Sequence, residues 1–345
     1  MNNTIYDYLR YYKETSFEKI IFNQMDALVF SILIYLPFKE TCQKSTIGKI
    51  KEHLDLDNKR GSMFPVAFKI LELVYNSKRY KDIIICNIED TTNNKIQFGA
   101  MTLRYKNNAY VVFEGTNSST SGWMENFRLS CDFPTQTQEK CIEYLNKTIK
   151  STDKKIYICG HSKGGNLAMT SAMLCKDRIF NRIEKIYNFD GPGFRQEEYN
   201  SHIFNKIKEK TVNILPEGSV VGIMLFNDNY KYVKAKGLGF KQHNPINWYI
   251  FGEFFVESKI LLSSKKLKQK LDQSLIKLND KDMRIILNEV DRFLNDNQIY
   301  EKSFKNIDFN EFKKMINDIN EVDEDTKKVF IDTIKLFFNP DKKSR

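Results

Sequence analysis

An α/β fold, with helices packed on a mainly parallel sheet and an all-helical C-terminal region behind it, is what this sequence predicts. Three observations carry that prediction. Short apolar runs alternate with helical segments from about Asp82 to Leu215. One such run, Lys155-Ile156-Tyr157-Ile158-Cys159, breaks sharply into Gly160-His161-Ser162-Lys163-Gly164-Gly165 and then into the small-residue segment Asn166-Leu167-Ala168. From about Phe255 the glycines and strand signals stop, and apolar residues recur at helical spacing.

Taken in order, Asn2 to Phe38 reads as helical: a tyrosine-rich amphipathic start, then a strongly apolar stretch led by Asp26. Lys39 to Lys81 is mixed, with a helix at Val66 to Val74. Asp82 to Glu89, Lys95 to Tyr105 and Ala109 to Phe113 read as strands. Thr91-Thr92-Asn93-Asn94 and Lys106-Asn107-Asn108 supply the hairpin turns between them. A Ser/Thr/Gly loop and a Trp-containing segment lead to a helix near Thr137 to Lys150. Lys185 to Asp190 is the next strand, ending at Gly191-Pro192-Gly193, and a helix from Gln196 to Lys208 precedes the strand Thr211 to Leu215. Beyond residue 255, Ile260-Leu261-Leu262, Leu267, Leu271 and Leu275, then Ile285-Ile286-Leu287, Val290 and Phe293, predict several short helices. The expected division is residues 1–255 as the α/β domain with its N-terminal helices, and 256–345 as the helical region, ending in the basic tail Lys342-Lys343-Ser344-Arg345.

Composition narrows the class. A chain of 345 residues can bury a sizeable core, and 41% hydrophobic with 28% charged residues suits a soluble globular protein. The net charge of +10 comes from lysines spread along the chain, so it reads first as solubility and second as peripheral contact with an anionic membrane. Nucleic-acid binding is not expected, because no clustered basic face carries interleaved aromatics. The six cysteines are far apart and form no Cys-x-x-Cys pair, which predicts buried free thiols in a reducing compartment. Met1 to Asp7 lacks signal-peptide order, and the apolar run Ala27 to Phe38 is too short to cross a bilayer. A cytoplasmic location is the expectation.

The most specific segment is Gly160-His161-Ser162-Lys163-Gly164. An apolar strand, a Gly-x-Ser-x-Gly turn and a helix-forming segment are the parts of a nucleophile elbow, which lifts a serine hydroxyl above the end of a sheet. The alternative is a glycine-rich turn whose serine merely caps the next helix. A serine nucleophile needs a base, and the chain has four histidines. His161 is next to Ser162, where its backbone position points it away from the nucleophile. His53 precedes the expected sheet. His243, in the loop Gly237 to Pro245 after the strand-like Tyr232-Val233-Lys234, is the favoured base, with His202 behind it. The acid should lie between Ser162 and His243. Asp190 ends a strand at the right sheet edge, and Glu217 and Asp228 are its rivals. For the oxyanion, the backbone N–H of Lys163 and that of Thr116, where a strand ends at Gly115, are the candidate donors.

With these residues in hand, the chain resembles the class 3 lipase group of α/β-hydrolases. It is more similar still to their bacterial Mbeg-like branch, a domain-of-unknown-function family. The resemblance covers about residues 1–255 and rests on Phe22 to Val29, on Val112 to Thr116 with Gly122 to Phe127, and on Gly160 to Ala168 with Tyr187 to Phe194. Its last part is Ser219 to Gly222 with Gln242 to Pro245 and Trp248. It implies an α/β-hydrolase fold, Ser162 as nucleophile, His243 as base and an oxyanion donor at Thr116. Class 3 lipases carry the acid in a segment matching Glu217 and Ser219, whereas the Mbeg-like pattern has an aspartate before Gly-Pro-Gly, matching Asp190. The family usually has arginine where this chain has Glu114. The implied activity is hydrolysis of acyl esters, lipid-like or of small molecules, through an acyl-enzyme, with no metal or organic cofactor. A non-catalytic scaffold on the same fold, and a thioesterase or peptidase using the same residues, stand as alternatives.

Overall fold

The computed structural model describes residues 3–42, 44–58, 61–93, 96–117, 120–277, 280–296 and 308–338. Its centre is an eight-stranded sheet in which the spatial order of strands is the chain order. The strands are β1 (Lys44–Thr46), β2 (Ile84–Thr92), β3 (Gln97–Tyr105), β4 (Asn108–Phe113), β5 (Lys155–His161), β6 (Ile183–Phe189), β7 (Thr211–Pro216) and β8 (Tyr230–Val233). β1 to β4 pair antiparallel and β4 to β8 pair parallel. Antiparallel neighbours need only a tight turn, and Lys106 at φ 54° makes the one between β3 and β4. Parallel neighbours need crossovers: the helices Gln136–Thr148, Lys163–Leu174 and His202–Lys208 lie in the first three, and residues 217–229 link β7 to β8 without a helix. This is the α/β arrangement, helices packed on a mainly parallel sheet, that the sequence predicts.

The period-two alternation of the strands decides which helices cover which face. Ala109, Val111, Phe113, Ile156 and Ile158 pack with Tyr144, Leu145, Leu167, Ala168 and Phe204 of the crossover helices. Tyr110, Val112, Cys159, Tyr187 and Phe189 point the other way, onto the helices Ile5–Tyr12, Gln24–Leu33 and Phe64–Val74. Each fully buried apolar side chain contributes about 1.5–3 kcal/mol.

The expected helical stretch Asn2 to Phe38 is two helices joined by a turn, with Asn2 itself outside the described residues. Asn23 starts the second: its Oδ1 accepts from the Met25 N–H at 2.8 Å while Asp26 Oδ2 accepts from the Asn23 N–H at 3.0 Å, a capping box. Arg79 ties the intervening turn down, donating to the carbonyls of Thr15 (3.2 Å) and Ile20 (2.9 Å) and to both Asp26 carboxylate oxygens. The expected single helix Gln196 to Lys208 is also split, into Gln196–Tyr199 and His202–Lys208. Ser201 accepts from the Phe204 N–H at 3.2 Å and so begins a new helix.

Among the described residues, four helices follow the last strands: Leu262–Lys277, Asp280–Asp296, Phe309–Asn317 and Glu324–Phe338. Ile286, Leu287, Val290, Phe312 and Ile316 form a third apolar cluster, which takes in Met124 and Phe127 of the helix Thr120–Arg128. The basic tail lies outside the described residues. All six cysteines are free, and all but Cys86 are buried. Among the described residues, no helix is long and apolar enough to cross a membrane.

Candidate active site

β5 ends at His161, and Ser162 turns the chain into the helix Lys163–Leu174 at φ 58° and ψ −133°. That conformation strains any residue with a Cβ by about 1–3 kcal/mol and persists only where the surroundings enforce it. Here they do. The Ser162 N–H donates to the Phe189 carbonyl of β6 at 2.9 Å, and its own carbonyl accepts from Gly165 at 2.8 Å. The turn is so tight that a Cβ at Gly160 would lie 2.2 Å from the Gly164 backbone, and one at Gly164 would lie 2.2 Å from the Phe113 carbonyl. The flanking glycines are therefore a steric requirement of the elbow.

Asp190 follows β6 directly, itself at φ 50°, and is fully buried. Its Oδ2 accepts from His243 Nδ1 at 2.6 Å. The other oxygen accepts from the Ser219 hydroxyl and from the Gly222 N–H at 3.1 Å. With Nδ1 donating to a carboxylate, the neutral imidazole of His243 leaves Nε2 free to accept. His243 lies at the end of the short helix Phe240–His243, where the sequence predicts loop. Ser162 reaches the same sheet edge, since the ring of its neighbour His161 lies 4.6 Å from that of His243, centroid to centroid. No hydrogen bond joins the Ser162 hydroxyl to the imidazole. Such contacts commonly tighten only around a substrate. The rival residues are engaged elsewhere: Asp228 with Lys208 Nζ at 2.5 Å, and Glu217 with the Ser258 hydroxyl at 2.5 Å. His202 is exposed at the start of its helix. His53 ends the 3-10 helix Ile47–His53, after β1 rather than before the sheet.

The candidate oxyanion donors flank Ser162. Lys163 is the first residue of its helix, so its N–H has no intrahelical partner, and the helix end favours negative charge there. A Cβ at Gly115 would lie 3.1 Å from that of Ser162, which puts the Gly115-Thr116 segment against the serine. The Gly115 N–H donates to the Tyr35 hydroxyl at 3.1 Å, while the Thr116 hydroxyl accepts from Asn126 Nδ2 at 2.9 Å.

Two features escape the sequence reading. The first is the Lys163 side chain, which is buried, with Nζ donating to the Gln97 carbonyl at 2.6 Å and to Gln97 Oε1 at 2.7 Å. Gln97 Nε2 in turn donates to Glu114 Oε2 at 2.9 Å and to the Gly115 carbonyl at 3.2 Å. Burial brings Lys163 down to about 8, against the pull of Glu125 and Glu114. Glu114, the charge reversal against the resembling family, thus shares one network with a cation. The second is His161, which is buried, bonds the His243 carbonyl through Nε2 at 2.9 Å and meets the Tyr35 hydroxyl at Nδ1. Burial and the His243 charge push it down to about 3. The alternation of β5 carries the signal: Tyr157, Cys159 and His161 share the face that meets the N-terminal helices.

Among curated proteins, none matches the chain. The crystal structure of M37 lipase is similar to it at 15% sequence identity and a TM-score of 0.40, over 74% of this chain and 81% of that one. The model of the Mbeg1-like family matches residues 74–291, a span that holds Thr116, Ser162, Lys163, Asp190 and His243. With more than half of its length matched in this way, the chain belongs to the Mbeg1-like family.

Proposed function

We propose that this protein is a serine hydrolase that cleaves acyl esters, lipid-like or of small molecules. Ser162 Oγ attacks the ester carbonyl and its proton passes to His243 Nε2. Asp190 holds the imidazole by Nδ1 and stabilises the imidazolium. The N–H groups of Thr116 and Lys163 receive the oxyanion. As the tetrahedral species collapses, the carbon–oxygen bond to the leaving alcohol breaks, and His243 returns the proton to that oxygen. Water, deprotonated by the same nitrogen, then attacks the acyl-enzyme and restores Ser162. These steps call for no metal or organic cofactor. The lysine excess favours substrates with anionic head groups, at an anionic membrane surface or free.

The observation that carries this reading is the 2.6 Å bond between His243 Nδ1 and Asp190 Oδ2 at the edge where the strained Ser162 turn ends β5. Fluorophosphonate labelling and hydrolysis of p-nitrophenyl esters of rising chain length test it. Ser162→Ala should lose all labelling, and His243→Ala should lower kcat/KM on the order of 10³-fold or more. The chain-length preference separates esterase from lipase. Folded wild-type protein that neither labels nor turns over any ester sinks the proposal.

A further inference from the structure

We propose that Tyr35 and His161 are positioning residues that couple the oxyanion segment to the base, so that donor and base are held as one unit. The inference rests on the hydrolase reading, with Thr116 and His243 in the roles given above. Four groups lie in sequence. The Gly115 N–H meets the Tyr35 hydroxyl at 3.1 Å, the hydroxyl meets His161 Nδ1 at 3.5 Å, and His161 Nε2 meets the His243 carbonyl at 2.9 Å.

For a neutral His161 ring, elementary bonding rules fix every proton in this chain. A carbonyl only accepts, so Nε2 of His161 carries the hydrogen and donates to His243. The neutral ring then has a bare Nδ1, which accepts from the Tyr35 hydroxyl. That hydroxyl in turn accepts from Gly115, whose N–H only donates. With the ring neutral, no other assignment makes all three bonds. It requires His161 to stay neutral, and burial together with the neighbouring His243 keeps it so, down to about 3. Tyr35 stays protonated as well, because burial first and the Glu114 charge second raise it above the ordinary phenol value. The charged groups facing this chain are Glu114 on the Tyr35 side and Asp190 behind His243.

The consequence is geometric. Gly115 precedes the candidate donor Thr116, and the His243 carbonyl is fixed at the residue whose ring must swing its Nε2 to the serine. Two loops that are far apart in sequence are tied through one phenol and one imidazole, themselves anchored on the helix Gln24–Leu33 side and on β5. The neighbouring His161 ring, tilted 34° from the plane of the His243 ring, also limits its movement. Positioning of this kind acts on the rate of the chemical step rather than on substrate affinity.

The test compares Tyr35→Phe, His161→Phe, His161→Gln and the double variant Tyr35→Phe/His161→Phe. Measurements are ester hydrolysis, fluorophosphonate labelling rate, and the His243 ring resonances of histidine-labelled protein against pH. His161→Phe keeps the flat ring but loses both bonds, and should lower kcat about 10- to 100-fold with KM unchanged. His161→Gln returns a donor near the Nε2 position and should recover most of that loss. Tyr35→Phe should cost about 3- to 10-fold alone and nothing further on His161→Phe, since the chain is already cut. Folded variants that turn over at the wild-type rate, a Gln variant as impaired as Phe, or losses that multiply in the double variant would each overturn the coupling. Should His161→Phe not fold, Tyr35→Phe, which removes one oxygen, decides alone. Wild-type protein inert toward probe and ester defeats the hydrolase reading instead. The coupling is then judged by the His243 titration: a shift in Tyr35→Phe supports it, and an unmoved titration overturns it.

Discussion

Asp26 and Lys163 are both buried charges, and the chain handles them in opposite ways. Asp26 meets its counter-ion directly: Arg79 grips both carboxylate oxygens, at 2.8 and 2.6 Å, and the Tyr80 hydroxyl adds a bond at 2.6 Å. Burial works against the Arg79 charge, but the bonds to Asp26 more than offset it and leave Arg79 above its ordinary value. Lys163 meets no carboxylate directly. Gln97 stands between its ammonium and Glu114, and burial prevails, bringing it down to about 8. The first network is a staple that holds the N-terminal turn. The second lies under the segment Gly115-Thr116 beside Ser162, and its charge sits within reach of ordinary pH. Direct pairing gives permanence, whereas an amide relay leaves a group poised to titrate.

The staple should break hardest. Arg79→Met keeps much of the apolar stem but leaves the Asp26 carboxylate buried without its cation, at a cost of about 3–5 kcal/mol in stability. Urea unfolding at neutral pH measures it. The double variant Asp26→Asn/Arg79→Met removes both charges and should recover a large part of that loss. A single variant as stable as wild type would mean that the pair does not hold the turn.

The relay should show itself through pH. Between about pH 8 and the ordinary lysine value of 10.5, the unfolded chain keeps a proton on residue 163 that the folded chain has released. Stability therefore rises with pH across that window, while below it the full cost of the buried ammonium persists. At 1.36 kcal/mol per unit the rise amounts to roughly 3 kcal/mol. Buried tyrosines such as Tyr35, raised above 10.0, pull the other way at the alkaline end, so the quantity to read is wild type minus Lys163→Met. That difference should slope upward from pH 8 to 10. A flat difference removes the contrast between the two networks.

How far the sequence exposes these regions follows from how local their causes are. The elbow is legible because its steric rule acts on neighbours: Gly160 and Gly164 are forced by the backbone they touch. Asp190 and His243 stand out as candidates because the elbow suggests a chain order and histidines are few. The strands β2 to β7 carry enough residues for a period to register. β1, with three residues, and the hairpin Ile250–Phe251 with Phe254–Phe255 do not. The Asp26–Arg79 pair joins residues 53 positions apart, and no local pattern announces it. The nearness of His161 to Ser162 along the chain masks its direction, which the alternation of β5 sets toward Tyr35 and the His243 backbone. For Lys163 the sequence exposes the amide alone, because nothing near it reveals that Gln97, from a strand two positions away in the sheet, meets its side chain.

The smallest effect separates the charge of Glu114 from its shape. Glu114→Gln preserves volume and an acceptor for Gln97 Nε2, so the segment leading to Gly115 should keep its course. What changes is electrostatic: Glu114 is one of two carboxylates that hold the Lys163 proton on. Without it the ammonium releases its proton more readily, and the alkaline rise in stability should begin below pH 8. Stability at neutral pH should fall by about 1 kcal/mol, the scale of one hydrogen bond losing its charged partner. Ester turnover should stay within about tenfold of wild type, because the Thr116 and Lys163 amides are held by the backbone and by Asn126 rather than by this charge. Paired unfolding curves of wild type and Glu114→Gln from pH 6 to 10 check the shift. An onset that does not move would show that Gln97 screens the two charges from each other, and that the relay acts by shape alone.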